Sequence, residues 1–472
     1  MTNQQNNSAE FKSERQLQPQ DPRTIVVGLD IGTTKVVAIV GRKNQYGKVE
    51  VLGYGKAPNK GVKTGEVINL KDTEMAIREA VAKAEYDSKI KIERVVVGIA
   101  GQHIRSIQTR EYLTRQNPED IITEKDIEKL TEQVKRLHVE SGEQIIHALP
   151  QEFKVDEIQD IKLSPIGMAG TRLEANYHVV VGKVAAIKNL IRCVEMAGLE
   201  VEDITLEPLA SSRAVLLEEE KEGGIVLIDM GGGTTDMAIF RDNIIRHTAI
   251  IPAGGNIITK DLSTGIRVLL RDAEQVKVKF GSAYPGANSE NEIVSIEGLP
   301  GHKPVEVSLK TISRIIKARL KEILDRVDRE IHKYTDISNE NMLLGGIVLT
   351  GGGAQMKHLV QLVNILTGMH ARIGYPNQHL AAGTEDELKS PIFATAVGLL
   401  MEGLENKINY EELEYGEEYI PEIKEKQVAK QEIQETPEEK TPEEKQEEIP
   451  ILNKKRKSAW YEPIMKLISK LE

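Results

Sequence analysis

Two stretches of this chain, two hundred residues apart, repeat one pattern: Ile25-Val-Val-Gly-Leu-Asp30-Ile-Gly32-Thr33-Thr34-Lys35 and Ile225-Val-Leu-Ile-Asp229-Met-Gly231-Gly232-Gly233-Thr234-Thr235-Asp236. In each, an apolar run ends in a carboxylate, a glycine turn with paired hydroxyls follows, and a second apolar run returns (Val36 to Val40; Met237 to Phe240). The spacing predicts one β-hairpin used twice. Glycine admits turn conformations that other residues resist and lets main-chain N–H groups approach an anion, while threonine hydroxyls add donors around its oxygens. One such turn reads as an ordinary hairpin. Two at domain spacing read as a clamp that grips a polyphosphate from both sides, through Gly32, Thr33, Thr34 and Lys35 and through Gly231, Gly232, Gly233, Thr234 and Thr235. Asp30 and Asp229, at the ends of the first strands, suit Mg2+, which prefers oxygen ligands and keeps part of its hydration shell.

A third glycine turn, Ile347-Val-Leu-Thr350-Gly351-Gly352-Gly353-Ala354, follows another apolar strand and precedes a helical stretch, Met356 to Leu366. Bare backbone there suits a flat nucleobase. No Walker pattern occurs. With both hairpins, the set resembles the actin, hexokinase and heat-shock chaperone superfamily. That resemblance implies an α/β, two-lobed ATPase fold, with ATP and Mg2+ in the cleft and Gly351, Gly352 and Gly353 beneath the adenosine. The superfamily's two connecting helices have counterparts in Glu207-Pro-Leu-Ala-Ser211 and Pro391-Ile-Phe-Ala-Thr-Ala-Val-Gly398. The likeness spans roughly residues 23 to 402.

At 472 residues with 40% hydrophobic content, the chain is long enough for two or more cores. The single Cys193 lies in an apolar helical stretch (Ala185 to Ala197), which predicts inert core and a reducing compartment. Residues 1–22 are rich in Gln and Asn without an apolar centre, so a signal peptide is not expected there, and no run of eighteen apolar residues occurs elsewhere. A net charge of −11 argues against nucleic acid as a partner.

The acidity is uneven. From Glu402 to Pro450 there are seventeen Glu against six Lys, with a tandem Thr-Pro-Glu-Glu-Lys, a composition that predicts a disordered linker. The sign then reverses at Lys454, Lys455, Arg456 and Lys457, and Trp460, Ile464, Leu467, Ile468 and Leu471 follow at helical spacing. A basic cluster beside an apolar stripe predicts an amphipathic helix lying in an anionic membrane surface. Docking of that helix on a protein is the plainer alternative.

A nucleotide clamp tethered to such a helix resembles the FtsA family of bacterial division proteins. Gly98-Ile-Ala-Gly101-Gln-His103, Ser141 to Asp156 and Pro165 to Ala175 look like the α+β subdomain that this family inserts in its first half. Pro252 to Asp261 and Asp272 to Gly281 resemble its segments around the nucleotide, which implies that Glu274 and Lys277 approach ribose and base. The resemblance implies the following arrangement: a disordered arm (1–22); lobe 1 (23–101 and 179–205); the inserted subdomain (102–178); lobe 2 (206–255 and 332–402) with a smaller subdomain (256–331); an acidic linker (403–453); and a membrane-targeting helix (454–472). It further implies filaments of this chain at the cytoplasmic face of the inner membrane at the septum, binding of the acidic C-terminal peptide of FtsZ, and recruitment of later division proteins. Leu309 to Tyr334 is patterned as a helix with Ile312, Ile315, Ile316, Leu320, Ile323 and Leu324 inside. Its basic side (Lys310, Arg314, Lys317, Arg319, Lys321) offers Arg314 and Lys317 as contacts for that peptide. Glu207 is the implied water-orienting group and Asp229 its catalytic companion, for an ATPase that is slow at most. A PilM-like pilus-assembly protein and a small-molecule kinase of the same superfamily are the alternatives.

Overall fold

The computed structural model describes residues 25–415 apart from 116, 118, 163, 289–291, 298–302 and 336–342, with side chains to residue 406. The N-terminal arm, Lys454 to Lys457 and the stripe from Trp460 to Leu471 lie outside the described residues, as does the acidic linker beyond Tyr415.

The first hairpin is β1 (Val26–Ile31) and β2 (Lys35–Lys43), extended by β3 (Val49–Pro58), a short hairpin β4 (Val62–Lys63) and β5 (Glu66–Val67), helix α1 (Leu70–Ser88) and β6 (Arg94–Ile99). Asn69 starts α1 by accepting from the Lys71 and Asp72 amides. Between β6 and helix α3 (Val184–Met196) the chain departs into β7 (Ile104–Thr114), α2 (Glu124–Lys135), β8 (Glu143–Val155), β9 (Ile158–Ile161) and β10 (Arg172–Lys183). These four strands form their own antiparallel sheet in the order β7-β10-β8-β9. Strand β10 stays paired to β7 as far as Gly182, so this sheet ends later than the boundary drawn at 178. Strand β11 (Glu200–Leu206) then closes a mixed sheet of order β11-β6-β1-β2-β3.

The second half opens with α4 (Glu207–Val215) and α5 (Glu218–Gly223), followed by the second hairpin, β12 (Ile225–Met230) and β13 (Thr235–Arg241), and by β14 (Ile244–Ile251). Next come α6 (Gly255–Ile266), α7 (Leu270–Phe280), a small hairpin β15 (Ile293–Ile296) and β16 (Val305–Ser308), and the long α8 (Leu309–Thr335). The chain ends its described part with β17 (Gly346–Thr350), α9 (Leu359–Thr367), β18 (Ala371–Ile373) and α10 (Ala394–Tyr415). Helix α10 thus continues past the boundary placed at 402. The second sheet, β14-β13-β12-β17-β18, repeats the first strand for strand, and in both the hairpin's first strand runs parallel to the next strand inward.

Helices cover both faces of each sheet, so the strands are apolar on both sides. In β2, Val36, Ala38 and Val40 pack toward α1 and α3, while Val37 and Ile39 face a core shared by the two halves. In β12, Val226, Ile228 and Met230 join the core with α6 to α9, while Ile225 and Leu227 enter the shared core. Helices α4 and α10 fill that shared layer through Ala210, Ala214, Ala396, Leu399 and Leu400. Each fully buried Val, Ile or Leu there is worth about 1.5–3 kcal/mol. The two helices cross backbone to backbone: a Cβ on Gly398 would lie 1.8 Å from the Ala210 carbonyl oxygen. Helix α8 buries Ile312, Ile316, Leu320, Ile323 and Leu324 as patterned, with Ile315 only partly covered.

Candidate nucleotide cleft

The two glycine turns are built alike. Gly32 N–H donates to Lys35 O and Gly231 N–H to Thr234 O, each at 3.0 Å. They also face each other closely: a Cβ on Gly232 would lie 2.3 Å from Thr34 Cγ2, and one on Gly233 2.4 Å from Thr33 Oγ1. Asn59 props the first turn, its side chain donating to Gly32 O at 2.8 Å and its N–H to Thr34 O at 3.0 Å. The second is held by α6, whose Gly255 and Asn256 amides donate to Gly231 O and Gly232 O. Thr235 turns away from the cleft to donate to Ala253 O.

Between the turns lies a cavity of about 470 Å³ lined by Asp30, Gly32 to Lys35, Glu207, Asp229, Gly231 to Thr234, Asp236, Gly351 and Gly352. A second, of about 340 Å³, adjoins it along Thr34, Gly231, Gly232, Gly352 and Ile392 and runs between α7 and the third turn, past Glu274, Lys277, Gly353 and Met356. The sequence-predicted turn residues other than Thr235 therefore line two adjoining cavities, the second the more apolar. Glu274 and Lys277 pair at 2.7 Å, and Lys277 also donates to Gly255 O and Thr259 Oγ1, which fixes both against α6.

The first cavity is crowded with acid. Asp30, Asp229 and Asp236 are buried, and Glu207, at the start of α4 ahead of Pro208, lines the same cavity. Asp229 and Asp236 sit directly opposite each other across β12 and β13, so their side chains share one face. Ser211 donates to Asp229 Oδ2 at 2.6 Å and Thr395 to the same oxygen at 3.2 Å. Thr234 donates to Asp236 Oδ2 at 3.0 Å, and Asp236 Oδ1 has no partner. Lys35 pairs with Asp30 at 2.9 Å. Burial, then the neighbouring Asp30, Asp236 and Asp229, push the Glu207 carboxyl well above the usual carboxylate range. Burial and Asp229 raise Asp236, and burial, with Asp30 adding, raises Asp229 despite its hydroxyl donors.

This donor set fits a hard divalent cation held partly through water: several carboxylate oxygens, one of them orphaned, face one cavity. Among the described residues, no three His, Cys, Asp or Glu side chains are grouped tightly enough to cage an ion unaided. Ser211, Thr395 and Asn59 were not assigned to the site from the sequence, and Asp236 entered it only as the end of the second turn, with no role of its own. Asp236 was legible there, because a hairpin that puts Met230 opposite Thr235 puts Asp229 opposite Asp236.

The basic side of α8 is less open than its pattern suggests. Arg319 is paired with Asp261 at 2.6 Å and with Glu322, and Lys321 with Asp325 at 2.7 Å, while Arg314 is exposed and Lys317 partly so. Cys193 is buried, as expected. No helix among the described residues is long and apolar enough to cross a membrane.

The model of the family described as Cell division protein FtsA matches residues 226–398, and that described as SHS2 domain inserted in FTSA matches 101–181. The chain is 39% identical to Cell division protein FtsA of Neisseria meningitidis, over 81% of this chain and 90% of that one. It is 37% identical to the Pseudomonas aeruginosa protein over the same shares, and 34% identical to that of Escherichia coli over 82% and 92%. Among solved structures, a PilM-PilN type IV pilus biogenesis complex superposes with a TM-score of 0.60 at 17% identity, covering 81% of this chain and 99% of that one. MreB5 of Spiroplasma citri bound to ADP does so with a TM-score of 0.50 at 16% identity, covering 83% and 99%. These two likenesses show the fold, actin-like with two mixed sheets and an inserted domain.

Proposed function

This chain belongs to the FtsA family of cell division proteins, and from that premise we propose that it binds ATP with Mg2+ between its two lobes and links the division ring to the membrane. The observation that carries the nucleotide reading is the pair of turns in mutual contact, Gly232 on Thr34 and Gly233 on Thr33, opening onto one acid-lined cavity. Backbone N–H groups and threonine hydroxyls on both sides would take the phosphates, and the adjoining cavity along α7 and Gly353 would take ribose and base. The ADP carried by MreB5, which has the same fold, supports a nucleotide in this place. Asp30, Asp229 and Asp236 would hold the cation through water, and the ion would supply positive charge against the phosphates.

Glu207 is the group to orient water. Burial and three neighbouring carboxylates push its carboxyl well above the usual carboxylate range; with it, turnover is proposed to be slow at most. The domain division drawn above, filaments of this chain, binding of the acidic FtsZ peptide at Arg314 and Lys317, recruitment of later division proteins, and peripheral attachment through residues 454–472 at the cytoplasmic face of the membrane complete the proposal. Pilus-assembly and kinase roles are set aside because the relatives at 34–39% identity are division proteins.

Calorimetric titration with Mg-ATP tests the cleft. Gly232→Val pushes Thr34 aside and is expected to abolish binding while the far-ultraviolet circular dichroism stays that of the parent. Parental affinity in that variant would remove the turns from the site.

A further inference from the structure

The inserted sheet is rooted in lobe 1, between β6 and α3, yet it is fastened to lobe 2. Gln151 on β8 donates to Ile245 O at 2.6 Å in a buried contact. Gln108 on β7 donates to Arg246 O at 3.2 Å, and Ser106 to Thr248 O at 3.1 Å. His178 on β10 is fully buried: its Nδ1 accepts from Gln108 at 3.1 Å and its Nε2 meets Thr248 Oγ1 at 2.9 Å. At the rim Arg246 pairs with Glu152 at 2.6 Å and Lys162 with Asp242 at 3.1 Å. The same strand β8 reaches the nucleotide cleft from the other side, because His147 Nε2 accepts from the Leu206 N–H, one residue before Glu207.

A cleft of about 670 Å³ runs along this seam, and most of the charges around it are paired: Arg246 with Glu152 and Asp242, Lys162 with Asp242, and Lys333 with Glu330. It is therefore a joint between two bodies, and a poor receptor for a charged ligand.

We propose that the insert is a clasp across the two lobes, which must slip on β14 before the cleft can open, and so sets the rate of nucleotide release. The polar contacts named above between the insert and lobe 2 each join the insert to β14 or to the turn before it, and β14 belongs to the sheet that carries the second glycine turn. A rotation that parts Gly232 from Thr34 moves β14 away from a sheet anchored in lobe 1. The buried hydrogen bonds of Gln151 and His178 would break together in that motion. Because none of these residues lines either cavity of the cleft, the clasp resists opening without touching the nucleotide. The inference rests on the nucleotide reading only through its consequence for release.

The test uses the full chain and a fluorescent ATP analogue with Mg2+, chased by excess ATP. Gln151→Ala is expected to speed release about fivefold, the size of one buried hydrogen bond, and Lys162→Glu, a rim change that leaves the interior intact, about twofold. A cysteine pair, Ser106→Cys with Thr248→Cys, is expected to slow release when oxidised and to recover on reduction. In parallel, spin labels at Lys60→Cys and Lys260→Cys, one in each half, report the distance between the lobes without nucleotide; Gln151→Ala should lengthen and broaden that distribution. Unchanged release together with an unchanged distribution overturns the clasp. If the parent chain binds no analogue, the nucleotide reading fails and the distance distributions alone decide the clasp.

Discussion

Asp236 shows how far one residue's setting departs from its type. It is buried, it faces Asp229 across the hairpin, and one of its oxygens has no partner. Burial and the Asp229 charge raise its carboxyl, so the folded chain holds this proton more tightly than the unfolded chain does. That preference stabilises the fold at low pH and is lost as pH rises above the ordinary carboxylate range of about 4 and through the raised value. Asp236→Asn keeps the acceptor for Thr234 and removes the charge. It is expected to stabilise the nucleotide-free protein by about 1–3 kcal/mol at pH 8 and by nearly nothing at pH 4, read as the urea midpoint at each pH. Mg-ATP should narrow the gap at pH 8, since the cation and not the mutation then answers the charge. The equivalent position in the first hairpin is Val37, opposite Asp30. The duplicated pattern is therefore asymmetric, one carboxylate in the first copy and two in the second. Asp236 closed the second turn in the sequence reading without a role of its own, because a repeat draws attention to what its copies share.

Elements were legible wherever a period ran unbroken. The alternation in β2 and β12, the stripe of α8 and the glycine turns all follow from side-chain direction along a strand or helix. What the sequence did not carry was how elements meet. Nothing in Gln151 or His178 says that they face β14, because such contacts depend on the placement of a whole sheet. Arg319 and Lys321 likewise looked like open charge on α8 until Asp261 and Asp325 came beside them. On the face proposed for the peptide contact, these two side chains are held by ion pairs of their own. Reversing Arg314 and Lys317 together to Glu is expected to weaken binding of an acidic FtsZ peptide at least about tenfold at low salt, with parental binding itself falling as salt screens charges beyond about 8–10 Å. Fluorescence anisotropy across a salt series reads both. The crossing of α4 and α10 gives a second expectation. Gly398→Ala places a methyl on the Ala210 carbonyl, so the helices must part, at a cost of about 1–3 kcal/mol. The denaturant midpoint should fall accordingly, with ATP affinity reduced as well, since Thr395 and Ile392 line the cleft beside the same helix.

At the scale of the whole molecule, the body and the tail divide the work by composition. The body from β1 to α10 has a core common to both halves, which lets two glycine turns two hundred residues apart act as one site. From Glu402 to Pro450 the chain carries seventeen Glu against six Lys, and α10 takes up this stretch as far as Tyr415. Beyond it Lys454 to Lys457 supply charge, and Trp460, Ile464, Leu467, Ile468 and Leu471 supply an apolar stripe. In the proposed attachment these two contributions would act on different parts of a bilayer. Basic side chains near an anionic surface bring about 1 kcal/mol each and fade with salt, whereas a large apolar side chain fully buried brings about 1.5–3 kcal/mol and does not. Changing Leu467 and Ile468 together to Glu is therefore expected to abolish flotation with liposomes at every salt concentration. Neutralising Lys454 to Lys457 should weaken flotation on anionic lipid and barely alter it on neutral lipid. ATP binding by the body should be the same in both variants, because residues of the body, from Asp30 to Thr395, line the cleft. Flotation that survives the Leu467 and Ile468 change, or that is missing in the parent, would assign the stripe to a protein partner, and the ring would then need another route to the membrane.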